Sequence, residues 1–173
     1  MSIQRQHFGN LPDGRAVTRF VLENGQGAKA AILDWAGAIQ ALLVPDRDGA
    51  LVDVVGGFET AEQYYYGNGN QGSLIGRVGN RIQRGRFTLD GREYVLAINN
   101  HSNHIHGGPN GFARQIFEAT PVEGEEPSLR LSYVSPDGEE GYPGTLSVTV
   151  TYTLTRDNAL VIHYVAITDA PIR

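Results

Sequence analysis

The side chains best able to do chemistry sit in two neighbouring stretches, Gly76-Arg77-Val78-Gly79-Asn80-Arg81-Ile82 and Asn103-His104-Ile105-His106-Gly107-Gly108. Asn80 carries an amide that both donates and accepts, Arg81 a permanently charged planar fork, and His106 an imidazole, the side-chain type that titrates near neutrality. Such a set suits a polar, uncharged ligand rich in hydroxyls. The same spacing also suits a tied-down loop in which His106 is a hydrogen-bonded structural histidine, and spacing by itself leaves both readings open.

Other constellations are weaker. His101, His104 and His106 fall within six residues, yet the chain has no cysteine and no acidic partner close by, so no metal is expected. His104 is expected to support His106 from the same strand face, since residues i and i+2 share a face. Gly67-Asn68-Gly69-Asn70-Gln71-Gly72 matches a dinucleotide fingerprint in spelling. It follows three tyrosines instead of a buried strand and precedes no helix, so it reads as a flexible loop and no cofactor is expected. Glu139-Glu140 reads as a solvated turn, because adjacent carboxylates there point apart. Trp35, Tyr64, Tyr65 and Tyr66 could stack on a ligand, but in a strand-rich chain such residues more often fill the core or its rim.

The elements that must position these groups are strands. Twenty-two glycines and eight prolines cut the 173 residues into short alternating runs rich in β-branched and aromatic residues. Strands are expected over 18–22, 28–33, 38–44, 51–55, 115–120, 128–134, 145–154 and 159–166, with a helical turn or two over 59–64. Residues 86–96 form two alternating runs joined at Asp90-Gly91, a strong hairpin signal, and this hairpin is expected to return the chain so that His106 approaches Asn80 and Arg81. Antiparallel strands in this number need a second sheet over their apolar faces, which gives an all-β, antiparallel β-sandwich spanning 1–173 as a single domain.

With 14 Lys and Arg against 19 Asp and Glu the formal charge is −5, which argues against nucleic-acid and anionic-membrane partners. Arg77, Arg81, Arg84 and Arg86 cluster locally but lack an aromatic platform for bases. No apolar run approaches a membrane-spanning length, and residues 1–8 lack the apolar core of a secretory signal. A soluble, cytoplasmic protein is expected.

The sequence resembles the aldose 1-epimerase (galactose mutarotase) family. The resemblance runs through Gly-Arg-Val-Gly-Asn-Arg-Ile at 76–82, Phe-Thr-Leu-Asp-Gly at 87–91, Asn-His-Ile-His-Gly-Gly at 103–108 and Gly-Phe at 111–112. It continues through Ser-Pro-Asp-Gly-Glu-Glu-Gly-Tyr-Pro-Gly at 135–144 and Tyr-Thr-Leu-Thr-Arg-Asp-Asn-Ala-Leu at 152–160. It implies a supersandwich fold, an aldose such as galactose or glucose as substrate, and cofactor-free interconversion of its α and β anomers by acid/base ring opening. Asn80 and Arg81 would hold sugar hydroxyls and His106 would assist at the ring oxygen. Tyr142 would sit near the cleft.

The resemblance further implies that residues 168–173 fall where relatives continue into Asn-His-Ser-Tyr-Phe, so that the sandwich is incomplete at the C-terminus. The second histidine and the base glutamate of the family would then lie outside the chain. A degenerate or non-catalytic carbohydrate-binding module is the alternative. Ala113 and Phe117 depart from the aspartate and tryptophan common in relatives. Sheet edges left uncovered, above all over 145–154 and 159–166, are expected to promote self-association.

Overall fold

A computed structural model describes residues 2–67, 69–122 and 124–172. Strands β1 (Ser2–Asn10), β2 (Ala16–Glu23), β3 (Lys29–Leu33), β4 (Ile39–Pro45) and β5 (Leu51–Asp53) form one antiparallel sheet in sequence order. Helix α1 (Ala61–Tyr66) comes after them. Next are β6 (Arg81–Ile82), the hairpin β7 (Arg86–Leu89) and β8 (Arg92–Val95), and β9 (His104–Ile105), which pairs with β6. Strands β10 (Glu118–Val122), β11 (Ser128–Ser135), β12 (Leu146–Leu154) and β13 (Leu160–Thr168) close the second antiparallel sheet, again in sequence order.

Alternation explains how the two sheets meet. Phe20 and Leu22 of β2 sit opposite Ile32 and Ala30 of β3. Across the sandwich Leu129 and Leu131 of β11 sit opposite Tyr152 and Val150 of β12. All eight are buried in one cluster. Each large apolar side chain buried there contributes about 1.5–3 kcal/mol. Odd-numbered Val17 and Leu33 turn to the other side of the first sheet, where α1 covers them with Ala61 and Tyr64. A reciprocal cap starts this short helix: Thr60 Oγ1 accepts from Gln63 N at 3.2 Å, and Gln63 Oε1 accepts from Thr60 N at 3.1 Å.

Asn24 fastens the two sheets at one end. Its side chain is fully buried; Nδ2 donates to Thr155 O and Asn158 Oδ1, both at 2.7 Å, and Oδ1 accepts from Gln26 N and Ala28 N at 2.9 and 3.1 Å. That fills both donors and both acceptor positions of an amide.

Three expectations change. Strand β1 is unforeseen, because Ser2-Ile3-Gln4-Arg5-Gln6-His7 has little apolar alternation; it pairs by backbone along β2 with a bulge between His7 and Gly9. The strand expected over 115–120 begins at Glu118, and Ile116 instead forms an isolated bridge to Trp35. The exposure expected of both last long strands falls on β13, since β12 is buried on its core face while most of β13 is exposed. Of the glycine-rich loop at 67–72, Asn68 lies outside the described residues. Among the described residues no helix is long and apolar enough to cross a membrane.

Candidate active site

The Asp90-Gly91 hairpin forms as expected, with positive φ at both turn residues. The direct link between the two chemical stretches is a different one: the two-residue ladder in which Arg81 pairs with Ile105 and Ile82 with His104. Immediately beyond that ladder the chain enters the left-handed region at both Asn80 (φ 63°) and His106 (φ 54°). Non-glycine residues there carry a cost of about 1–3 kcal/mol unless their surroundings fix them. Here they fix each other: His106 N donates to Asn80 O at 3.0 Å, and Asn80 N donates to His106 Nδ1 at 3.0 Å. Gly107 comes next, where a Cβ would lie 1.6 Å from Gly76 O, so the two stretches approach at a distance that admits no side chain.

This clamp determines the chemistry of His106. A backbone N–H can only donate, so Nδ1 must present its lone pair, and the neutral ring carries its proton on Nε2. His106 is therefore a hydrogen-bond donor through Nε2. His104 has the opposite tautomer. Its ring is fully buried, with Nδ1 2.8 Å from Ala97 O, a carbonyl that can only accept, so Nε2 accepts from Tyr142 Oη at 2.7 Å. Strand alternation does not carry from His104 to His106, because β9 ends at Ile105 and His106 is left-handed. His104 is an internal tie to Tyr142, which is itself buried against Phe87 and so does not line an open cleft.

Arg81 is exposed and held by amides: Nε donates to Asn100 Oδ1 at 3.0 Å and Nη1 to Asn80 Oδ1 at 3.1 Å. Among the described residues it has no carboxylate partner, and its second terminal nitrogen is left for a ligand. Because Asn80 Oδ1 faces Arg81, the Asn80 Nδ2 group is also left to donate. Asparagines hold the surrounding loop. Asn99 accepts from Ile105 N at 2.7 Å and donates to Ile105 O at 3.0 Å, and Asn103 accepts from Arg84 N at 3.1 Å. Sequence reasoning missed Asn99 and Asn100 and assigned no role to Asn103, although three asparagines in five residues signal local side-chain-to-backbone bonding.

The acidic turn is not solvated as expected. Glu139 accepts from Tyr133 Oη and Ser135 Oγ, and Glu140 Oε1 accepts from Asn110 N at 3.2 Å. Burial, then the bond to Glu139, pushes the Tyr133 hydroxyl pKa up. Arg77 anchors this corner through Ser135 Oγ at 2.8 Å and the carbonyls of Ser135, Pro136 and Pro143 at 2.8–2.9 Å. Burial draws its pKa below the usual arginine value. Of the aromatic residues, Trp35 and Tyr64 are core while Tyr66 is exposed. Among the described residues no group of three or more His, Asp or Glu is arranged to hold a metal.

The architecture is that of the galactose mutarotase-like β-sandwiches. It superimposes on a galactose 1-epimerase from Lactobacillus acidophilus NCFM with a TM-score of 0.87 at 24% identity, covering 99% of this chain and 50% of that one. An aldose epimerase homologue from C. elegans gives 0.85 at 32% identity, with 91% and 48% covered. In sequence, residues 18–172 match the aldose 1-epimerase family model. The galactose mutarotase of Sus scrofa is 45% identical over 165 residues, 95% of this chain and 47% of that protein. The aldose 1-epimerase of Escherichia coli K12 is 34% identical over 92% of this chain and 46% of its own length. The chain belongs to the aldose 1-epimerase family, and it spans about half the length of the curated relatives it matches, corresponding to their N-terminal portion.

Proposed function

We propose that this chain supplies one wall of an aldose 1-epimerase site, in which Asn80 and Arg81 hold sugar hydroxyls and His106 acts at the ring oxygen. The observation that carries the reading is the Asn80–His106 clamp, which leaves His106 with a proton on Nε2 and joins it through Asn80 to Arg81, whose guanidinium has no carboxylate partner among the described residues. Anomer exchange removes the proton from the C1 hydroxyl and delivers one to the ring oxygen. The C1–O5 bond breaks, C1–C2 rotates, and the ring recloses on the other face. A neutral imidazole hydrogen-bonding from Nε2 can orient and polarise the ring oxygen while the principal acid delivers the proton. Arg81, held by two amide oxygens, can stabilise negative charge on a hydroxyl oxygen as it loses its proton.

In this proposal the general base and the principal acid lie outside residues 1–173, so the chain alone binds aldose without turning it over. It folds as one unit, associates with itself through β13, and meets free hexoses in the cytoplasm. Galactose and glucose titrations followed by the His106 ring resonances test the binding role. Shifts at millimolar sugar that are lost in Arg81→Ala are expected, and their absence from a folded chain overturns it. Polarimetry of freshly dissolved α-galactose tests the division of labour. Acceleration by the monomeric chain that His106→Ala abolishes would place the acid and base within these residues, whereas binding without acceleration agrees with the proposal.

A further inference from the structure

On the side of the first sheet covered by α1, a cavity of about 300 Å³ is lined by Arg15, Trp35, Tyr65, Pro109, Asn110 and Arg114. None of Asn80, Arg81 or His106 lines it, so its chemistry is independent of the sugar-binding reading. We propose that this cavity binds a small oxyanion, the phosphate group of a phosphate monoester or inorganic phosphate.

Trp35 is 1% exposed, and its Nε1 is the one buried side-chain nitrogen or oxygen without a hydrogen-bond partner among the described residues. That nitrogen is covered by protein, so Trp35 serves as a wall of the cavity, and the donors that a ligand can reach belong to its neighbours. Arg114 spends one terminal nitrogen on the carbonyls of Tyr64 and Tyr65, and its Nε and Nη2 have no partner among the described residues. It forms no ion pair there, so a partly buried cation faces the cavity without a counter-charge.

Arg15 lies with its guanidinium 5.3 Å from the centre of the Trp35 ring and is paired at 2.7 Å with Asp13, which does not line the cavity. Asn110 has its backbone N and O engaged with Glu140 and Gln115, leaving its side-chain amide. No carboxylate is among the lining residues. A ligand that offers several acceptor oxygens and negative charge answers this set, and a tetrahedral oxyanion meets guanidinium donors in the geometry they favour.

Trp35 is the chain's sole tryptophan, so intrinsic tryptophan fluorescence reports on this cavity alone. Titration with inorganic phosphate and with glycerol phosphate, at ionic strength held constant with sodium chloride, should give a saturable change in the millimolar range. The tighter of the two identifies the source, free anion or organic monoester. Arg114→Gln should weaken the response by about tenfold, the loss of one charge-assisted hydrogen bond. Arg114→Lys, which keeps the charge but removes the planar fork, should also weaken binding measured by calorimetry, and it decides the matter if Arg114→Gln does not fold. No saturable response to either phosphate, an equal response to uncharged galactose, or unchanged affinity in the folded variants overturns the proposal.

Discussion

Strands β12 and β13 are each nine residues long, alternate in pattern, and are hydrogen-bonded to one another along their whole length from Leu146–Thr168 to Leu154–Leu160. Their fates differ. On β12 the inward residues Leu146, Val150, Tyr152 and Leu154 are buried, whereas on β13 Tyr164, opposite Val150, is 60% exposed and Ile167 on the other face is 68% exposed. Backbone pairing thus defines a strand, but burial depends on what lies across its face. β12 has Phe20, Leu22 and Ile32 within the same cluster, while most residues of β13 are exposed on both faces.

The sharpest way to break the comparison is a pair of tyrosines. Tyr152 is fully buried and donates to Gly37 O at 2.7 Å. Tyr152→Ala should cost about 3–5 kcal/mol in urea denaturation, as other large aromatic truncations in cores do. Tyr164→Ala, on the neighbouring strand opposite Val150, should stay within about 0.5 kcal/mol. Similar losses at both sites would mean that β13 is covered in solution.

Two aspartates separate the covered and uncovered regions by pH. Asp34 ends the covered β3 and accepts from Thr18 N at 2.9 Å, and burial raises its pKa in spite of that bond. A raised carboxyl holds its proton in the folded state to higher pH than in the unfolded chain. Its contribution is complete below the ordinary value of about 3.9 and is lost as pH rises through the folded value. Asp169, just past β13, is lowered by hydrogen bonding from Thr145, side chain and then main chain. Its contribution is present above the ordinary value and is lost as pH falls through the folded one. Thermal melts from pH 3 to 7 should therefore show Asp34→Asn gaining stability relative to the parent as pH rises from about 4. Asp169→Asn should lose its disadvantage as pH falls below that point.

The smallest expected effect on stability sharpens the same contrast. Ile167→Lys adds charge to an exposed site, where substitutions stay within about 0.5 kcal/mol, yet it should shift sedimentation toward monomer if β13 mediates association. An unchanged distribution of species would remove β13 from that role.

Much of this arrangement was legible in the chain. The Asp90-Gly91 turn and the long alternating strands arise from periodicities of two and from residues that accept positive φ. Asn80, Arg81 and His106 stood out as residue types, but not the way they are joined, because a two-residue ladder between β6 and β9 carries no periodic signal. Nor could sequence show that Glu140 is bonded from Asn110, or that Asn24 is buried. Those facts depend on contacts between residues distant in the chain, which local pattern does not encode.

Asn24 also bears on the order of folding. Two of its four side-chain bonds join a turn near the N-terminus to Thr155 and Asn158, 131 and 134 positions away. Contacts of such separation form late, since the entropy of closing the intervening loop must be met before they return any stabilisation. The β2–β3 and β12–β13 turns can each form locally, but the Asn24 amide is satisfied only when both are in place and adjacent. Asn24→Ala, which removes both cross-sheet bonds, should therefore speed unfolding and leave the folding rate nearly unchanged in stopped-flow denaturation, marking the closing of the two sheets as a late step.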